Sequence, residues 1–125
     1  MKIGHVSITV KSMEESIRFY VEIMGLELKN RLEVPENKSE LAFLSDKQSD
    51  TMLELTYWKE KKDWNKGDEL DHLGFNVPNM DEAMKFFRKN NVEITKEPYV
   101  FEGTKALIAF IADPNGILLE IIERK

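Results

Sequence analysis

The chain has 125 residues, 42% of them hydrophobic and 33% charged, with a formal net charge of −5. That balance suits one soluble globular domain able to bury a core, and the acidic charge disfavours a general nucleic-acid or anionic-membrane partner. No cysteine is present, which excludes disulfides, thiolate metal sites and cysteine nucleophiles.

In chain order, "IGHVSITV" alternates Val6, Ile8 and Val10 against His5, Ser7 and Thr9 and predicts a strand with one apolar and one polar face. The amino terminus is too polar for a signal peptide, and no run reaches the roughly 20 apolar residues of a membrane span, so the expected location is cytoplasmic. Ser12 with Glu15 has the spacing of a helix capping box. Met13, Ile17, Tyr20 and Met24 then recur at helical spacing, and Gly25 can supply a left-handed stop. "LELKNRLEV", "SELAFLS" and "TMLELTYW" return to a period of two and predict three strands.

The order then repeats. "DHLGFNV" sets Leu73, Phe75 and Val77 against His72, Gly74 and Asn76, and Asn79 with Glu82 repeats the capping box. Met80, Ala83 and Phe87 follow at helical spacing, with Asn90 or Asn91 as the stop. "VEITKEP", "KALIAFIA" and "GILLEIIER" predict three more strands, the last two joined by the turn signal "DPNG" at 113–116. The expected fold is α+β: a single domain, 1–125, of two tandem βαβββ modules at about 1–60 and 68–125. The spacing from His5 to His72 equals that from Phe43 to Phe110, and the spacing from Glu54 to Glu120 is one residue shorter.

The duplication thus superposes histidine on histidine and glutamate on glutamate. Both histidines of the chain fall on polar strand faces, while Glu54 and Glu120 interrupt the apolar runs "MLELTY" and "ILLEII". A buried carboxylate needs a partner, and imidazole with carboxylate suits a first-row divalent cation or zinc. The competing reading is two unrelated surface carboxylates and two structural histidines.

"GHVSITV", "FYVEIMGLEL", "LAFLS", "LELTY", "DHLGFNV" and "IAFIADPNGILLEIIE" resemble the vicinal oxygen chelate superfamily, and within it bacterial glyoxalase I, over essentially the whole chain. The resemblance implies half-barrel sheets of the glyoxalase/bleomycin-resistance/dioxygenase type. It also implies metal ligands at His5, Glu54, His72 and Glu120, with nickel or cobalt ahead of zinc, manganese or iron. The implied reaction isomerises the hemithioacetal of methylglyoxal and a thiol to a lactoyl thioester, a methylglyoxal detoxification. Glu120 would be the catalytic base, and Glu54 the second catalytic carboxylate for the other stereoisomer. The resemblance further implies a homodimer, with the site within one chain or shared between two.

Glutathione-using members typically carry Arg, Asn and, in some, a second Arg where this chain has Thr9, Trp58 and Asp68. "YWKEKKDW" offers Trp58, Lys59, Lys61, Lys62 and Trp64 as a replacement clamp, or is a solvated charged loop. Two other function classes stay open: another metal-dependent epimerase or lyase, such as one resembling methylmalonyl-CoA epimerase, and a metal-free module that binds a small molecule.

Overall fold

Alternating apolar positions draw each half of the chain into a four-stranded sheet with one face turned to a helix. The computed structural model describes residues 2–63, 67 and 70–124. The chain divides into two compact units, Met1–Lys66 and Gly67–Lys125.

In the first unit β1 (His5–Thr9) is followed by α1 (Met13–Arg18), β2 (Glu27–Val34), β3 (Ser39–Ser45) and β4 (Met52–Trp58). The sheet order is β1-β4-β3-β2, with β1 parallel to β4 and the other neighbours antiparallel. The second unit repeats this with β5 (Leu73–Asn76), α2 (Met80–Lys89), β6 (Glu93–Phe101), β7 (Ala106–Ala112) and β8 (Leu118–Glu123), in the order β5-β8-β7-β6. Each unit is βαβββ, as the periodicity predicts. Neither helix is long and apolar enough to cross a membrane.

The helices begin at the expected caps. Ser12 Oγ accepts from the Glu15 N–H at 3.2 Å, and Asn79 Oδ1 accepts from the Glu82 N–H at 2.9 Å. Gly25 and Asn91 take positive φ beyond the helical segments. In the first unit Ile8, Val10, Leu55, Ala42 and Leu44 are buried with Met13 and Tyr20. In the second, Leu119, Ile121, Ala109 and Ile111 are buried with Met80, Met84 and Phe87. Each large side chain so buried is worth roughly 1.5–3 kcal/mol over exposure.

Three details differ from the sequence expectation. The first helix does not continue regularly to Met24: α1 gives way to a π-helical turn, Phe19–Ile23, closed by the Met24 N–H donating to the Phe19 carbonyl at 3.0 Å. Within this turn Phe19 and Tyr20 are both buried, their rings meeting edge-on at 5.1 Å between centroids. His72 stands immediately before β5, not within it, whereas His5 opens β1. The strand predicted at 92–98 runs on to Phe101, because β6 is an edge strand, where Pro98 removes no ladder bond that an inner strand would need.

Candidate functional site

The strand register, more than the loops, gathers the polar side chains. In the first sheet Glu54 on β4 lies between Ser7 on β1 and Phe43 on β3. Because side chains alternate, His5, Ser7, Phe43, Glu54 and Thr56 share the face opposite the one that carries Ile8 and Leu55. The His5 Nε2 lies 3.6 Å from Glu54 Oε2, and its ring meets Phe43 edge-on at 6.2 Å between centroids.

The second sheet reproduces the set. Glu120 on β8 lies between Gly74 on β5 and Phe110 on β7. His72 Nε2 is again 3.6 Å from Glu120 Oε2, and its ring meets Phe110 edge-on at 5.7 Å. The duplicated spacing therefore encodes a duplicated constellation of imidazole, carboxylate and aromatic ring.

A separation of 3.6 Å is too long for a hydrogen bond, so each carboxylate faces its imidazole without bonding to it. The Glu54 and Glu120 side chains are only 13% and 20% exposed, and no lysine or arginine pairs with either among the described residues. Two ligands each about 2.1 Å from a cation can stand at most about 4.2 Å apart, so the separation allows both to reach one ion. The donor set therefore fits a divalent cation in kind and in reach. Among the described residues no group of three or more metal-ligating side chains is gathered, so each unit by itself supplies one pair.

The two pairs are supported differently. Thr56 Oγ1 donates to Glu54 Oε1 at 3.0 Å, and Ser7 Oγ lies 2.9 Å from Thr56 Oγ1. In the second unit it is the imidazole that is held: His72 Nδ1 lies 2.7 Å from Asp71 Oδ2, which leaves Nε2 toward Glu120. Neither Thr56 nor Asp71 stands out in the sequence as a functional residue. Thr56 shares strand parity with Glu54, the one signal that could have found it, and Asp71 merely precedes a histidine.

A cavity of about 350 Å3 opens beside His5 and Phe43, with Lys29, Asn30 and Asp50 in its wall. A smaller one, about 120 Å3, joins Glu120 to Ile108, Ile122 and Arg124. Of the proposed clamp, Lys59 is already ion-paired with Glu33, while Trp58 and Lys61 line a separate cavity of about 310 Å3. Trp64 and Asp68 lie outside the described residues.

Comparison with known proteins identifies the family of the chain. The model of the Glyoxalase/Bleomycin resistance protein/Dioxygenase superfamily matches residues 2–121. The lactoylglutathione lyase of Escherichia coli O157:H7 is 34% identical, over 100% of this chain and 94% of its own length. That of Salmonella typhimurium is 32% identical with the same coverage. Among solved structures, the trypanothione-dependent glyoxalase I of Leishmania major superposes with a TM-score of 0.84 at 30% identity, covering 98% of this chain and 86% of that one. The chain therefore belongs to the Glyoxalase/Bleomycin resistance protein/Dioxygenase superfamily, as a glyoxalase I-like lyase.

Proposed function

We propose that the chain isomerises the hemithioacetal of methylglyoxal and a low-molecular-weight thiol to the lactoyl thioester, with His5, Glu54, His72 and Glu120 as ligands of one divalent ion. The observation that carries this reading is the repeated imidazole–carboxylate pair, 3.6 Å apart in each unit, with no lysine or arginine paired to either carboxylate among the described residues. The ion would supply Lewis-acid stabilisation of the negative charge that develops on the substrate's vicinal oxygens.

The rest falls to the protein's own groups. The reaction needs a base to remove the hydrogen from the carbon bearing sulfur and to return it to the neighbouring carbon. The hydroxyl proton passes from one oxygen to the other, so no oxidant or co-reactant is consumed. Glu120 is assigned as that base and Glu54 as the second carboxylate, which serves the opposite stereoisomer. Both carboxylates are themselves mostly buried, which limits the access of bulk water to them. His72, oriented by Asp71, presents Nε2 as a fixed nitrogen donor.

The thiol remains a class. Relatives are named as lactoylglutathione lyases, whereas the Leishmania enzyme is trypanothione-dependent, so the thiol differs among the chain's own relatives. The expected assembly is a homodimer. The test is turnover of hemithioacetals made from several thiols, after reconstitution with nickel, cobalt, zinc and manganese, nickel or cobalt being expected to give the highest rate. Metal-dependent formation of a lactoyl thioester supports the reading. A folded, metal-loaded protein that turns over none of them contradicts it.

A further inference from the structure

The two carboxylates are equivalent in the duplication and unequal in their tethering. Thr56 is 5% exposed, and its hydroxyl carries a single proton, which is given to Glu54 Oε1 at 3.0 Å. Ser7 must then be the donor in the 2.9 Å contact between the two hydroxyls, which makes a chain Ser7→Thr56→Glu54 of two bonds running the same way. Such bonds polarise and strengthen one another in a low-dielectric setting. At the corresponding places in the second unit stand Gly74 and Ile122, neither with a hydroxyl. Glu120 accepts no hydrogen bond from any described residue, and its one ionic neighbour is His72 at 3.6 Å.

We propose that Thr56, with Ser7 behind it, is the positioning residue that holds Glu54 on the ion while one stereoisomer turns over, and that the absence of this pair from the second unit leaves Glu120 free to turn toward that substrate. This rests on the function proposed above. It assigns the division of labour between the carboxylates to two hydroxyls outside the proposed ligand set. One oxygen of Glu54 is occupied by a hydroxyl proton and its rotation is restrained. Neither oxygen of Glu120 accepts such a bond from a described residue.

The test uses the full chain with cobalt(II) as the probe. Thr56→Val keeps the shape of the side chain and removes the donor, and Thr56→Ser restores it. Thr56→Val is expected to weaken cobalt(II) binding by about 10- to 100-fold and to alter the visible absorption of the bound ion. Thr56→Ser should recover both. The reciprocal variant, Gly74→Ser with Ile122→Thr, transplants the hydroxyl pair to Glu120. A Cβ at position 74 would stand 3.5 Å from Ile122 Cδ1, an atom that the threonine removes, so the space exists.

The transplant should keep its cobalt(II) and lose roughly tenfold or more in kcat, with KM little changed. The inference is overturned if folded Thr56→Val binds cobalt(II) with wild-type affinity and spectrum, or if the transplant turns over at the wild-type rate. Should the transplant not fold, the Thr56→Val and Thr56→Ser pair decides alone. Failure of the wild-type chain to bind any cobalt(II) would instead overturn the proposed function, and this inference with it.

Discussion

Glu54 and Glu120 announce themselves because a charge inside an apolar strand costs several kcal/mol unless something answers it. What answers it is legible only in part. The imidazole partners follow from the duplicated spacing, but the hydroxyl chain on Glu54 depends on β1 and β4 pairing at Ser7 and Glu54. The bond between His72 Nδ1 and the Asp71 carboxylate depends on two side-chain rotamers. No periodicity carries either. Glu120→Gln should retain the fold and most of the metal, since the amide oxygen still coordinates, yet lose about 100- to 10,000-fold in turnover because an amide accepts no substrate proton. Rate and metal content measured on the same sample check this, and a near wild-type rate would remove Glu120 from its assigned role. Asp71→Ala, which frees the His72 ring, should weaken metal binding by about 10- to 100-fold without lowering the melting temperature appreciably, as chelator competition beside a thermal melt would show.

At the scale of elements, the strands and caps were the most readable features and the irregularities the least. Ser39–Ser45 coincides with the predicted "SELAFLS" run, and both helix caps form where the serine and asparagine stand. The π-helical turn was hidden because Ile17, Tyr20 and Met24 satisfy an ordinary helical period, which carries no sign of the wider turn at Phe19–Ile23. A second element-scale feature ties α1 to its sheet. Arg31 on β2 donates through Nε and Nη2 to both oxygens of Glu40 on β3, at 2.6 and 3.1 Å, and through Nη2 to Glu14 on α1. The hydrogen bond to Arg31 holds the Glu14 carboxyl below its ordinary value of 4.5. A carboxylate whose pKa is lowered on folding adds stability above its unfolded pKa and loses it as pH falls through the lowered value. Arg31→Met should therefore lower the melting temperature slightly at neutral pH, and the gap to wild type should close as pH falls from the ordinary carboxylate value through the lowered one. The pair is exposed, so the effect at neutral pH is small. A gap that widened on acidification would show the pairing to be incidental.

For the whole molecule, one observation organises the rest: a chain of 125 residues contains two units of the same topology, each with one imidazole, one carboxylate and one aromatic ring on the same sheet face. The architecture of each unit was legible because a period of two and a period of 3.6 alternate in the same order twice. The asymmetry between the units was not, because Ser7 against Gly74 and Thr56 against Ile122 read in sequence as ordinary strand substitutions. The central claim is that the two imidazole–carboxylate pairs serve one ion. It is tested most directly by metal content per chain, measured after loading with cobalt(II) and dialysis against a competing chelator, in the wild type, His5→Ala and His72→Ala. The account predicts one equivalent per chain in the wild type and a large loss in both variants, although the substituted histidines belong to different units. Two equivalents per chain, or one equivalent that survives either substitution, would contradict it.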